Sequence, residues 1–177
     1  MPAAPTPWRI REVQPSDAED IIALLKTSFA EQGSNLLMEA GEFSMTVDEE
    51  EFFLTEQSLR ADWVGYVALT REKPSHVIGL VTAEGKQRRA IKHRASVGIT
   101  IAQTWRGQGI GKALMRQVIK WAKDTEGITR LELEVLARNE VAIHLYERLG
   151  FEREGVIRRA IFRDGAYLDE YVMGLLL

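Results

Sequence analysis

Three glycines at alternate positions, Gly107, Gly109 and Gly111, stand between an apolar run typical of a strand and a run with helical apolar spacing. Glycines let main-chain N–H groups approach a ligand closely. A helix start adds unpaired N–H donors and the positive end of the helix dipole, so together they favour an anion. One dipole interaction is worth about 0.3–1 kcal/mol when exposed and about 2 kcal/mol when partly buried, so several donors would hold a pyrophosphate. A tight strand-to-helix turn without a ligand is the alternative interpretation.

The neighbours of these glycines exclude two common nucleotide motifs. In a P-loop the lysine is followed by serine or threonine, but Lys112 is followed by Ala113, and Arg106 stands where the first P-loop glycine belongs. The dinucleotide-binding fingerprint requires a gap of three before its last glycine, whereas these glycines are spaced by two. Glycine spacing alone is therefore a weak signal for any one ligand.

A second block of residues adds the missing specificity. The first block reads Arg106-Gly107-Gln108-Gly109-Ile110-Gly111, and the second contains Asn139, Ala142, Tyr146, Gly150 and Phe151. In order and separation they resemble the two signatures of the GNAT acetyltransferases, Arg/Gln-x-x-Gly-x-Gly/Ala and Asn-x-x-Ala-x-x-x-Tyr-x-x-x-Gly-Phe. The resemblance is strong over residues 97–151 and weaker towards residue 177. Over residues 8–90 it rests on the order of elements alone.

The resemblance implies acetyl-CoA as co-substrate and no metal. It implies that main-chain amides of one segment bind the CoA diphosphate, namely those of Arg106, Gly107, Gln108, Gly109, Ile110, Gly111 and Lys112. It implies that the preceding strand pairs with the pantetheine arm through Ile99, Thr100 and Ile101, and that one N–H there polarises the acetyl carbonyl. Two parallel strands should separate to admit CoA. Asn139 and Ala142 are expected to contact the cofactor, and an N-cap is a second, compatible role for Asn139.

Tyr146 is the candidate general acid that protonates the departing thiolate. The thiol resembles cysteine at a pKa of ~8.5 and the phenol lies near ~10, so the transfer is uphill by only ~2 kcal/mol before any tuning. The alternative is a buried helix tyrosine that packs on the sheet.

The general base is less defined. Many relatives place a glutamate on the strand that holds Ile99, but residues 93–99 of this chain contain no carboxylate. Glu134 is the best substitute, because an ionised side chain on a central strand is unfavourable unless it is used. A structural glutamate paired with arginine is an equally open interpretation, and Glu132 shares its alternate face. His93 lies in a basic run over residues 86–94 that suits a solvated hairpin turn better than a contact with the CoA 3′-phosphate.

The acceptor is predicted to be the primary amine of a small molecule. In this family the first two helices and the segment between them set specificity, which implicates residues 29–45, including Phe29 and Glu31. Acidic residues there would attract a cationic amine, although a solvated acidic loop is an equal alternative. Two other functions stay open: a peptide or ribosomal-protein-type N-terminal acetyltransferase, and a non-catalytic acyl-CoA sensor.

Hydrophobic spacing and turn signals predict the elements that must position these groups. The order is β-α-α-β-β-β-α-β-α-β-β, an antiparallel meander followed by a crossover to a parallel strand. The fold class is α/β, with a mixed central sheet of about seven strands and helices on both faces. Capping boxes are predicted at Ser16–Glu19 and Thr46–Glu49, and the second helix should bury Phe52, Phe53 and Leu59.

Composition limits the remaining possibilities. The 177 residues contain no cysteine, which excludes disulfides and a cysteine nucleophile and suits the cytoplasm. The net charge of -3 gives no basic field for nucleic acid, and no apolar run approaches the ~20 residues that span a membrane. Residues 1–7 read as an extended leader before a single domain over residues 8–177. The apolar C-terminal strand supplies either a homodimer surface or core.

Overall fold

The computed structural model describes residues 6–177, so the predicted leader lies outside the described residues except for its last two. Within this range the helices are α1 Ala18–Phe29, α2 Val47–Ser58, α3 Ile110–Asp124 and α4 Glu140–Arg148. The strands are β1 Trp8–Glu12, β2 Trp63–Thr70, β3 Val77–Gly85, β4 Arg94–Ile101, β5 Arg130–Leu136, β6 Glu152–Arg163 and β7 Ala166–Leu176. The predicted order of elements is confirmed.

All seven strands form one mixed sheet in the order β1-β2-β3-β4-β5-β7-β6. The pairing of β4 with β5 is parallel and the other pairings are antiparallel. A parallel pair needs a crossover, which α3 supplies. The predicted α/β class with a mixed sheet of seven strands is therefore confirmed.

The helices cover both faces of the sheet. On one face α3 and α4 pack on the inner strands, with Leu114, Val118 and Ile143 in the core. On the other face α1 and α2 pack through Ile21, Leu24 and Leu54. Because strand side chains alternate between faces, β2 and β3 contribute residues to both layers, whereas the apolar residues of β4 and β5 pack in the layer of α3 and α4.

The predicted buried face of α2 is wrong. Phe52 and Leu59 are largely exposed and Phe53 is partly exposed, whereas Leu54 and Glu50 are buried. Helical residues advance by about 100° each, so Phe52 and Leu54 point in nearly opposite directions while Glu50 and Leu54 share a side. Contact with α1 and β2 selects the side that carries Leu54.

One predicted capping box is confirmed and the other is wrong. Ahead of α2, Glu49 N–H donates to Thr46 Oγ1 (3.3 Å) and Thr46 N–H donates to Glu49 Oε2 (2.8 Å). Ahead of α1, Ser16 instead lies in a 3-10 turn over Pro15–Asp17. Asp17 accepts from the N–H of Gln14 (2.8 Å) and pairs with Arg11 (2.6 Å), so the polar cap begins two residues before the predicted position.

The C-terminal strand divides between core and surface. Met173 is fully buried in the core beneath α4, while Leu176 is mostly exposed. The core alternative therefore applies to Met173, and the homodimer surface stays a prediction. Among residues 6–177, no helix combines the length and the apolar character that crossing a membrane requires.

Candidate active site

A gap opens between β4 and β5 partway along their length. The parallel ladder contains three pairs, Arg94 with Arg130, Ala95 with Leu131 and Ser96 with Glu132, and it ends there although both strands continue. Beyond this point β4 still pairs with β3 as far as Ile101, and β5 with β7 as far as Leu136. Each strand thus keeps one partner while the two separate from each other.

Main-chain groups of β4 point into this gap. The N–H of Ala102 donates to the carbonyl of Ile78 (2.9 Å), and Ile101 lies opposite Gly79. Because hydrogen-bonded and non-hydrogen-bonded pairs alternate in an antiparallel ladder, Ile101 and Ile99 direct their N–H and C=O away from β3, towards β5. Thr100 directs its main-chain groups towards β3, so it has no main-chain group free on the gap side.

The glycine-rich turn stands at the mouth of the gap. Gly107 (φ 76°) and Gly109 (φ 82°) have left-handed backbones, and Gly109 is the N-cap of α3. An added Cβ at either glycine would meet no other atom within 4 Å. Their conformation, rather than crowding, therefore requires glycine.

Helix α3 begins inside this turn with unpaired donors. The first hydrogen bond of the helix runs from Ala113 N–H to the Gly109 carbonyl (3.1 Å). The N–H groups of Ile110, Gly111 and Lys112 precede it and so have no partner within the helix, and the first turn carries no acidic residue. This arrangement presents converging donors and a positive dipole end to an anion.

The side chains of the turn have separate roles. Ile110 is buried in the core, so it offers only its N–H. A Cβ on Gly111 would lie 3.1 Å from both Ile101 and Leu145, so this glycine allows α3 to approach β4 and α4 closely. Gln108 and Lys112 are exposed, and Gln108 Nε2 donates to the Thr104 carbonyl at 3.3 Å.

Asn139 caps α4. Its Oδ1 accepts a hydrogen bond from Ala142 N–H at 3.3 Å, so the N-cap role predicted as compatible with cofactor binding is present. The same bond occupies the N–H of Ala142, whose side chain packs against the core. A cofactor contact through Ala142 would therefore involve its methyl group and not its N–H.

Tyr146 lies on α4 beneath the sheet, with its ring centroid 6.0 Å from that of Phe151. Burial raises the pKa of Tyr146 to about 12, so the phenol stays neutral at every physiological pH, as a proton donor must. Transfer from this phenol to a thiolate of pKa ~8.5 is uphill by about 5 kcal/mol. This free-energy cost of proton transfer exceeds the ~2 kcal/mol expected for a tyrosine of ordinary pKa.

Glu134 lies on the opposite face of the sheet from Tyr146. Leu131, Leu133 and Val135 of β5 pack in the core with Tyr146, so the alternating Glu134 points to the α1 side. Its side chain is exposed even though β5 is an inner strand, because β4 has separated from β5 at this level. A carboxylate here needs no buried partner.

Glu132, and not Glu134, is the structural glutamate that pairs with arginine. It is buried, bonded to Arg94 and Arg130 (3.4 Å), and 3.7 Å from Lys86. Burial alone would raise the pKa of Glu132, but the hydrogen bonds and charges of these cations outweigh burial and lower it. This cluster closes the gap at the last ladder pair.

Glu170 was not predicted as a site residue. It lies opposite Leu136 in the β5–β7 ladder, two steps along from the pair Glu134 and Val172 and therefore on the same face. Burial raises the pKa of Glu170, and the charge of Glu134 raises it further. Two carboxylates thus share the α1 face of the gap, and only the register of β7, which the sequence does not reveal, identifies the second.

The predicted acceptor residues line a small cavity beside the gap. A cavity of about 180 Å³ is bounded by Phe29 and Glu31 on one side and by Arg163 and Asp164 on the other. The ring of Phe29 lies 5.8 Å from that of Phe43. Glu31 is bonded to Arg106, so its charge is neutralised in this structure. The expected attraction of a cationic amine by free Glu31 is therefore reduced.

Two other features lie away from this site. The basic run that contains His93 precedes β4 and the glycine turn follows it, so the whole strand separates the two, which favours the interpretation of the run as a solvated turn. A cavity of about 620 Å³ between β1, β2 and α3, lined by Tyr66 and Trp121 among others, contains none of the candidate residues. Residues 6–177 contain no cluster of three or more histidine and acidic side chains suited to a metal.

Comparison with protein families gives a match to the Acetyltransferase (GNAT) family over residues 19–151. The L-amino acid N-acetyltransferase AaaT of Escherichia coli is 34% identical over 117 residues, which are 66% of this chain and 72% of that protein. The [ribosomal protein uS5]-alanine N-acetyltransferase of the same species is 26% identical over 110 residues, 62% of this chain and 56% of that protein. A crystal structure of a GNAT acetyltransferase from Streptococcus pneumoniae superposes with a TM-score of 0.89 at 29% identity, covering 96% of this chain and 99% of that one.

Proposed function

The chain belongs to the GNAT family of acetyl-CoA-dependent N-acetyltransferases, and on that basis we propose that it acetylates the primary amine of a small molecule by direct transfer in a ternary complex. One observation carries the proposal: Tyr146 packs with Leu133 and Val135 of β5 on one face of the sheet, while Glu134 between them faces the other side, at the level where β4 no longer pairs with β5. A thioester held in the gap would have Tyr146 on its thiol side and Glu134 on the side from which an amine arrives.

The proposed reaction assigns each proton. The amine loses a proton to Glu134, directly or through water, and its lone pair attacks the thioester carbon. The carbon–sulfur bond breaks, the thiolate takes a proton from Tyr146, and the attacking nitrogen releases its second proton to solvent as the amide forms. Tyr146 then regains a proton from solvent. An amine of pKa ~10.4 is unfavourable as free base at pH 7 by about 4–5 kcal/mol, which is why a base is needed. The outward N–H groups of β4 supply the donors for the carbonyl oxygen.

The acceptor cavity supports a small amine over a protein terminus. It has a volume of about 180 Å³ and opens to solvent, which is room for the amine end of a small molecule. The segment over residues 30–46 stands against the end of β6, with Arg163 donating to the carbonyls of Ser34 (2.7 Å) and Leu37 (2.9 Å). An extended peptide would require this wall to move. The amino-acid substrate in the name of the E. coli relative is consistent with a small acceptor.

Thiol release from acetyl-CoA, measured against free amino acids, polyamines and tripeptides, tests the proposal. We expect turnover with at least one free amine, and intersecting initial-rate lines because both substrates must be bound together. Turnover with tripeptides alone would favour the protein-terminus alternative. Parallel lines would contradict direct transfer, since they indicate an acetylated enzyme.

Two variants test the assigned roles. Tyr146→Phe should lower kcat by about 10²–10³-fold, within the range for general acid catalysis, with the Kd for CoA changed less than about twofold. Glu134→Gln should lower kcat at pH 7, because the amine then lacks its base. Tyr66→Phe is the matched control because it removes a tyrosine hydroxyl beside the 620 Å³ cavity, away from the gap. Equal turnover in Tyr146→Phe and Tyr66→Phe would remove Tyr146 from the mechanism.

A further inference from the structure

The segment over residues 30–46 contains neither helix nor strand, yet arginines from three distant parts of the chain hold it. Arg106 follows β4 in the glycine-rich turn, Arg138 follows β5, and Arg163 ends β6. All three stand at the edge of the sheet where β4 and β5 end. The wall of the acceptor cavity is thus fixed by the same edge that carries the cofactor turn.

Two of these arginines bind main-chain carbonyls. Arg138 donates to the carbonyl of Ser34 (2.9 Å) and to Asn35 Oδ1 (3.1 Å). Arg163 is 7% exposed and donates to the same Ser34 carbonyl (2.7 Å) and to that of Leu37 (2.9 Å). A buried guanidinium without acceptors is strongly unfavourable, so these bonds fix the middle of the segment.

Arg106 differs because its partner is a carboxylate and because it also contacts β4. Its Nη2 donates to both oxygens of Glu31, at 2.9 and 2.7 Å, and its Nε donates to the Ile101 carbonyl at 3.0 Å. The side chain of Glu31 is only 11% exposed. One guanidinium therefore connects the last residue of β4 to the first residues of the acceptor wall.

We propose that Arg106 and Glu31 form a positioning pair that sets the acceptor wall against the thioester site. The inference rests on the proposed function and adds Arg106, which acts on the acceptor wall through Glu31. Arg106 opens the turn whose amides face the diphosphate, so the cofactor turn and the acceptor wall share one side chain. Loss of either partner releases the wall at Glu31 and leaves the Arg138 and Arg163 contacts in place.

A different role for Glu31, direct attraction of a cationic amine, makes the opposite prediction for Arg106. If Glu31 attracts the amine, Arg106→Gln unmasks its charge and lowers the KM of cationic amines. If the pair positions the wall, Arg106→Gln and Glu31→Gln both raise the KM for every accepted amine. The sign of the change in Arg106→Gln therefore separates the two roles.

The experiment is a double-mutant cycle at saturating acetyl-CoA with an amine from the thiol-release screen. We expect each single variant to raise the amine KM about tenfold, and the double variant to be no worse than either, because contacting residues are not additive. Arg106→Lys should recover part of the loss. Glu31→Gln should leave the Kd for CoA within about twofold. Additive effects, or a lower KM in Arg106→Gln, would overturn the proposal.

Hydrogen exchange of the ligand-free chain tests the positioning role of the pair without an activity assay. Exchange over residues 29–36 should be at least about tenfold faster in Glu31→Gln and Arg106→Gln than in the wild type. Glu84→Gln is the control, since it removes a partner of Arg60 (2.7 Å) outside the site. Unchanged exchange overturns the positioning role even in an active enzyme. If the wild type accepts no amine, the proposed function is refuted. The hydrogen-exchange rates of the variants then still show whether Arg106 and Glu31 hold the segment in place.

Discussion

Replacing Gly109 by alanine separates the strain of the turn from its ability to bind an anion. Gly109 has φ 82° and open space where a Cβ would stand, so Gly109→Ala adds no clash and carries only the strain of a left-handed backbone. That strain is about 1–2 kcal/mol for a residue with a Cβ. At about 2–4 °C per kcal/mol for a domain of this size, the melting temperature should fall by about 2–8 °C.

Gly127 supplies a matched control. It lies between α3 and β5 with φ 87°, and an added Cβ there also meets nothing within 4 Å. Gly127→Ala should therefore lose the same stability while leaving the turn intact. The two variants differ in whether the strained residue orients the donors of Ile110, Gly111 and Lys112.

The difference should appear in acetyl-CoA affinity. A hydrogen bond to a charged group is worth about 1.5–3 kcal/mol, so misdirecting one amide weakens the Kd by about 10–150-fold. Calorimetric titration should show at least a tenfold loss in Gly109→Ala and less than about twofold in Gly127→Ala, with matched losses in thermal denaturation. Equal affinities in the two variants would refute the role of the turn.

Two further predictions concern stability and pH. Because the folded pKa of Tyr146 is raised to about 12, the unfolded chain loses this proton first as pH rises. The free energy of unfolding should therefore fall by about 2 kcal/mol between pH ~10 and ~12 relative to Tyr146→Phe, measured by urea denaturation. An identical pH dependence in both proteins would contradict this assignment. Glu132 has a lowered pKa, so its contribution to folding stability is present above the unfolded pKa of ~4.3 and is lost as pH falls through the folded value. Glu132→Gln should therefore destabilise the chain by about 1–3 kcal/mol at pH 7 and by less at pH 3. A loss of stability that does not shrink at low pH would contradict this role.

The features that were predictable from the sequence are local ones. Gly107, Gly109 and the start of α3 lie within one short segment, and their backbone requirements are visible in the residue types themselves. The order of elements along the chain followed from hydrophobic spacing and turn signals. The role of Tyr146 was open between a general acid and a packing residue, and its burial on α4 agrees with both.

The features that escaped prediction depend on distant contacts. Arg106 meets Glu31 across 75 positions and Arg163 meets Ser34 across 129, and no periodicity encodes such pairs. Glu170 joined the site only through the register of β7. The wrong face of α2 has the same origin, since apolar residues lie on opposite sides of that helix and tertiary packing buries Leu54 in preference to Phe52.

The central claim is that the amides of the turn bind the diphosphate of CoA. Nuclear magnetic resonance of the ¹⁵N-labelled chain, titrated separately with CoA and with pantetheine, tests it most directly. We predict that the amide resonances of residues 107–112 shift with CoA and stay in place with pantetheine, which lacks the diphosphate, while those of Ile99 and Ile101 shift with both. CoA binding that leaves residues 107–112 unshifted would contradict the account.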